Sequence, residues 1–207
     1  MYLTGLWNTI LISVTAICIG SIIGILVAVI KNYALTNKKL RPLEVICDIY
    51  LTVIRGTPTL IQLMIIYFAV FASMSDGTLA AIVGFSINAG AYIAEIIRSG
   101  IMSIDKGQNE AGRALGFTQG QTMRLIILPQ ALKISIPPLF NEFITLVKET
   151  SVAGMIAVPE LTKIAGNIRG RAFETTPLYI VAIIYLILVI ALTQVQKRIE
   201  KRLGASD

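Results

Sequence analysis

Glu142 has the chemistry that most needs explaining, because it stands near the middle of the largely apolar run 132–153. In hydrocarbon an ionisable side chain costs roughly 2.5–3.5 kcal/mol by insertion scales, so such a residue is a functional candidate by default. Thr145, three residues on, shares its helical face, and Glu149 follows at plus seven. Asn141 sits on the neighbouring edge with Thr145 and Lys148. A stripe of this kind suits recognition of a positively charged group through charge-assisted hydrogen bonds. The competing reading is internal: an ion pair with Lys148 or with an arginine of another helix, or a protonated, hydrogen-bonded carboxyl. Pro137 and Pro138, just ahead of the stripe, are expected to free backbone carbonyls beside it.

Other polar residues in apolar surroundings pair at helical spacing. Thr59 and Gln62 are three apart, and Asn88 and Tyr92 are four apart. Each is read either as a ligand contact or as an interhelical hydrogen-bond partner, the common use of such side chains in membranes. Arg55, Glu95 and Arg98 read as a charge cluster that orients helices. Metal and nucleophilic chemistry have little to work with. The chain has no His, and its two cysteines, Cys18 and Cys47, lie in or beside apolar runs as small hydrophobes do. No metal site and no enzymatic activity are expected.

These residues need a membrane to hold them. The 207 residues are 55% hydrophobic and only 14% charged, with a mean hydropathy of +0.76; a soluble domain carries charge nearer a quarter of its residues. No charge occurs before Lys31, and the stretch lacks the basic start of a secretory signal, so it reads as an uncleaved span. Five spans are expected, at about 6–30, 58–75, 77–97, 132–153 and 176–196, in one transmembrane domain covering 1–207. Apolar residues of 41–57 recur at helical spacing (Leu43, Ile46, Ile49, Tyr50, Val53), which predicts a helix on the membrane surface or leading into the second span.

Basic residues orient the spans. Lys31, Lys38, Lys39 and Arg41 follow the first, while Arg98, Lys106, Arg113, Arg124 and Lys133 follow the third. Lys197, Arg198, Lys201 and Arg202 close the chain. All three groups fall on one side, so the N-terminus is expected outside and the C-terminus in the cytoplasm. Lys163, Arg169 and Arg171 are the exception.

The one long polar stretch is 99–130. Two short helices are expected there, around 106–115 and 119–128, with Gly116 ending the first and Pro129 opening the next span. In a protein otherwise in lipid, such a hairpin is shaped to dock on something cytosolic.

Glu110-Ala111-Gly112, Gly116 three residues later, and Ile126-x-Leu128-Pro129 after nine more together resemble the EAA loop of bacterial ABC-importer permeases. Gly112 departs from that pattern, which has Ala there. Further segments look like the polar-amino-acid permease subfamily: Arg55-Gly56-Thr57-Pro58, Asn88-Ala89-Gly90-Ala91-Tyr92, Lys106-Gly107-Gln108, and Lys148-Glu149-Thr150-Ser151 with Val158-Pro159-Glu160-Leu161.

The resemblance implies a multi-pass subunit of the bacterial cytoplasmic membrane that imports amino acids by alternating access. Its hairpin, through Glu110, Ala111, Gly112, Arg113, Gly116, Leu128 and Pro129, would engage a cytoplasmic ATPase. The chain has no Gly-x-x-x-x-Gly-Lys-Ser/Thr loop, so it is expected to bind no cofactor itself, with ATP and Mg²⁺ on that partner. A second permease copy (a homodimer, or a heterodimer with a close relative) and an extracytoplasmic binding protein docking near 158–176 are also implied; a nucleic-acid partner is not. Glu142, Asn141, Thr145, Asn88, Tyr92, Gln62 and Thr59 are the candidate substrate contacts, and the acid favours a cationic amino acid. An ion channel or secondary transporter is the alternative, with the EAA spacing and the lack of inverted symmetry against it.

Overall fold

In a computed structural model, which describes residues 1–34 and 37–204, the chain is helical almost throughout. The first span is α1 (Tyr2–Ala34), long enough at about 50 Å to cross a roughly 30 Å hydrocarbon core with length to spare. It lies along α4 (Thr78–Met102), the most enclosed helix of the bundle. Small residues permit that closeness. A Cβ on Gly20 would come within 3.0–3.1 Å of Ser86, Ala89 and Gly90, and one on Gly24 within 2.6–2.9 Å of Ile93 and Gly90. With no hydrophobic force between helices in lipid, such van der Waals seams are what hold them together.

The predicted 58–75 span takes a different form. Pro58 ends α2 (Arg41–Gly56), since it disfavours helix at the residue before it. The chain then turns by 109° into α3 (Thr59–Ile65), which loosens into a π turn over Ile66–Val70 and stops. That piece is only about 18 Å long, too short to cross alone. Among the described residues four helices are long and apolar enough to span, and α2 with α3 makes a fifth only as a broken pair.

The α2 helix buries Cys47 and Leu51 against Val27, Ala91 and Ala94, and leaves Leu43, Ile46, Ile49 and Val53 on its outer face. Lys31 pairs with Asp48, tying α2 to the end of α1. The Tyr50 hydroxyl donates to the Ile87 carbonyl at 2.6 Å and ties it to α4.

After α4 come α5 (Lys106–Ala114) and α6 (Gln119–Thr122). The second expected hairpin helix is not separate. Helix continues from Gln119 to Ile156, through a π turn, then α7 (Leu128–Glu149), then a 3₁₀ stretch. Pro129 sits inside this run, and neither Pro137 nor Pro138 breaks it. The carbonyl of Pro137 is reached by the Gln196 amide at 3.5 Å, from α9 (Thr176–Gly204). The short α8 (Leu161–Ala172) lies between α7 and α9 in the chain and contacts the start of α1, where a Cβ on Gly5 would meet Ile164 and Leu161.

Candidate functional site: a polar stripe through the bundle

The α4 helix carries Asn88, Tyr92, Glu95 and Ser99 at intervals that keep them on one face. The upper end of this stripe is used internally. Asn88 is buried, and its amide donates to the Gln62 side-chain oxygen at 3.1 Å and, less closely, to Thr59 Oγ1 at 3.4 Å. Gln62 in turn donates to the carbonyls of Ile54 and Thr57 at 2.7 and 3.0 Å. Ile54 lies in the last turn of α2 and Thr57 caps it, where no helical amide is left to satisfy their carbonyls. Thr59, Gln62 and Asn88 thus come together and hold the α2–α3 bend, whereas sequence spacing pairs only Thr59 with Gln62 and Asn88 with Tyr92.

Below them the stripe is open. Tyr92 is 36% exposed, and the Arg55 guanidinium lies over its ring, 5.7 Å from the centroid. Arg55 also approaches Glu95 at 3.5 Å. Arg98, one turn on, grips the same carboxylate with Nε 3.1 Å from both oxygens. The charge cluster expected from the sequence therefore forms, but with two arginines on one acid.

On α7, Glu142 is half-buried and Asn141 is exposed. Neither internal partner proposed for Glu142 reaches it: among the described residues it has no ion pair or hydrogen bond, and Lys148 is exposed. The helix register sets its depth. Gly77 abuts the Ile156 carbonyl and Gly100 abuts the Ser135 hydroxyl, so α7 runs antiparallel to α4 with Glu142 about level with Tyr92. Thr145 is partly buried above it.

The α5–α6 hairpin is built by its caps. Asp105 accepts from the Gly107 amide at 2.7 Å, and Thr118 and Gln121 form a reciprocal capping box. Gly116 joins the two with φ +86°, a left-handed backbone that glycine takes without strain. Gly112 is buried against Thr122 and Ile126, whereas Glu110, Ala111 and Arg113 are exposed. Leu128 is partly buried and Pro129 exposed. Leu115 and Leu125 stand open beside them, an apolar surface flanked by charge.

One functional-looking residue lies outside the candidate site residues and enters the sequence reading only within the segment Val158-Pro159-Glu160-Leu161. Glu160 is fully buried at the start of α8 and accepts from the Thr162 and Lys163 amides at 2.7 and 2.6 Å and from the Tyr185 hydroxyl at 3.3 Å. Burial pushes its carboxyl above the ordinary range, and those three donors pull partly against the shift. The signal available was its place directly before a helical pattern, after Pro159.

Residues 7–205 match the family model described as the binding-protein-dependent transport system inner membrane component. The chain is 41% identical over 203 residues to the L-cystine transport system permease protein TcyB of Bacillus subtilis, covering 96% of this chain and 85% of that one. It is 39% identical over 209 residues to the arginine transport system permease protein ArtQ of the same organism, covering 99% and 93%. A solved amino acid ABC transporter with histidines superposes with a TM-score of 0.89 at 35% identity, covering 97% of this chain and 93% of that one.

Proposed function

Because this chain belongs to the family of binding-protein-dependent transport system inner membrane components, we propose that it carries cationic amino acids into a bacterial cell across the cytoplasmic membrane. It is a multi-pass permease subunit of an ABC amino acid importer and not itself an enzyme; the ATPase is a separate subunit, and a substrate-binding protein delivers cargo. Relatives named for cystine and for arginine leave the cargo's side chain open. The preference for a cation rests on one observation: Glu142 is half-buried, about level with Tyr92, and without an ion pair or hydrogen bond among the described residues. Leaving a carboxylate so placed unpaired is costly, and a cationic side chain removes the cost.

In this reading the whole chain is one transmembrane domain, with the N-terminus outside and the α5–α6 hairpin and C-terminus in the cytoplasm. Two copies form the pathway. ATP and Mg²⁺ sit on the ATPase, whose dimerisation pushes on Glu110, Ala111 and Arg113 of the exposed hairpin face, while Gly112, Gly116, Leu128 and Pro129 transmit the movement into α7. ATP binding shifts the population between outward- and inward-open states. The α8 helix supplies part of the outer surface for the binding protein.

The test is uptake into vesicles holding the complete complex, with arginine, lysine and glutamine compared in native protein and Glu142→Gln. Arginine and lysine uptake should fall at least tenfold while glutamine uptake changes little, a difference expected of one charge-assisted contact. Equal loss for all three would make Glu142 structural. Uptake that persists without the ATPase subunit would favour a channel or secondary transporter instead.

A further inference from the structure

The Arg55 side chain has more than one neighbour and is committed to none of them. Arg98 already holds Glu95 through Nε to both oxygens and through Nη2, which satisfies that carboxylate's charge. Arg55 adds a second guanidinium at 3.5 Å, outside ordinary hydrogen-bond range, and is 40% exposed. The three groups together carry one surplus positive charge. Tyr92 supports that surplus from below, by cation–π attraction that keeps the guanidinium in place without consuming its donors.

Two cavities meet at this point. One of about 770 Å³ lies between α1, α2 and α4, and one of about 370 Å³ lies between α4 and α7; Arg55 and Glu95 line both. The smaller is of small-molecule size. Its wall combines Ile96, Ile134 and Pro138 with Tyr92 and Ser99, and among the described residues Arg55 and Glu95 are the charged groups that line it. A planar guanidinium fork in such a wall matches a carboxylate, which accepts two parallel hydrogen bonds from it. The exchange leaves no charge stranded. When a carboxylate takes Arg55, Glu95 keeps Arg98, so the penalty of an unpaired buried ion does not arise.

We infer that Arg55, held over Tyr92, binds the α-carboxylate of the transported amino acid at a station on the α4 stripe. This inference rests on the amino-acid-importer reading and deepens it. The group bound is the one all amino acids share, so Arg55 reads the backbone of the cargo while Glu142, at about the same depth on α7, reads its side chain. Arg55 also closes α2 immediately before the 109° bend, so a carboxylate on it is coupled directly to the hinge between α2 and α3.

The experiment is equilibrium binding to the detergent-purified permease–ATPase complex without its binding protein. The probes are radiolabelled standard amino acids and cystine, each competed by its own carboxamide, which has the same side chain and no carboxylate. The native complex should bind its cargo at least tenfold better than the carboxamide. Arg55→Gln should weaken the amino acid about ten- to a hundredfold, the scale of a lost charge-assisted hydrogen bond, and leave the carboxamide within twofold. Arg55→Lys keeps the charge but loses the fork, and should fall between the two; it also serves if the glutamine variant fails to assemble. Glu142→Gln should alter which amino acid binds yet retain the preference over its carboxamide. Undiminished carboxylate preference in Arg55→Gln or Arg55→Lys, or equal weakening of amino acid and carboxamide, overturns the role given to Arg55 and leaves the importer intact. A native complex that binds no amino acid overturns the cargo reading and this inference together.

Discussion

The Asn88 amide on α4 donates to the Gln62 side chain on α3, and Gln62 donates onward to the Ile54 carbonyl at the end of α2. Two side chains thereby close a break that the backbone alone would leave with orphaned carbonyls.

Replacing Gln62 with Leu should therefore cost more than replacing Asn88 with Leu. The first strands the Ile54 and Thr57 carbonyls, about 1–3 kcal/mol for each unsatisfied group, and leaves the buried Asn88 amide only its longer contact to Thr59, whereas the second strands only Gln62 Oε1. Thermal unfolding of the purified complex should rank them so. The double variant should destabilise less than the sum of the two, since they share a bond. Strict additivity would show that the contact does not hold the bend.

The α1–α4 seam gives a second test. A side chain at Gly24 meets the Ile93 side chain at 2.6–2.8 Å and the Gly90 carbonyl at 2.9 Å. Gly24→Val should reduce the yield of assembled complex severely. Adding Ile93→Ala should restore it only in part, because the carbonyl cannot move aside as a side chain can. Full rescue would mean that the backbones are less close than described.

The long uncharged runs of α1, α4 and α9 were legible because the hydrocarbon core demands them. The second span was not, because an apolar count over 58–75 does not register that the helix relaxes into a π turn at Ile66 and stops after Val70. Nor does it show that α2 supplies the missing length, with Asp48 answered by Lys31 at the end of α1. Prolines misled in a related way. Pro129, Pro137 and Pro138 each remove an amide donor, but the surrounding bundle holds α7 together through all three. The pairing of Asn88 with Gln62 spans 26 residues of sequence, and the placing of Arg55 over Tyr92 depends on the bend. Such contacts belong to tertiary structure, so residue types nominate the candidates without saying which of them are already occupied.

For the hairpin, exposure separates transmission from folding. Glu110 and Arg113 are exposed, so Glu110→Ala should lower ATP-driven uptake at least tenfold while thermal stability shifts little, as surface substitutions usually do. Gly112 should behave in the opposite way. An alanine Cβ there would sit 2.7 Å from Thr122 Cγ2 and 3.0 Å from Ile126 Cδ1, so Gly112→Ala should destabilise the hairpin, and Thr122→Ser should relieve part of the strain. Limited proteolysis at the hairpin would read the second effect and uptake the first. If Glu110→Ala left uptake unchanged, the exposed face would not be the coupling surface.

Glu160 sets a pH dependence whose sign follows from burial. Its carboxyl is held above the usual 4.5, chiefly by desolvation, so the folded arrangement favours the protonated form relative to the open one. The stabilisation this gives is fully present below the unfolded value and is lost as pH rises through the folded one. Hydrogen exchange along α8 should accordingly quicken with pH over that window, beyond the intrinsic base catalysis measured for an unstructured control. Glu160→Gln should flatten the excess slope. Tyr185→Phe removes a donor that steadies the ionised form, and should extend the window to higher pH. The two variants thus act in different directions on one curve. A slope unchanged in both would show that α8 is held by its apolar contacts, Leu161 and Ala165 with Val181, and not by the buried acid.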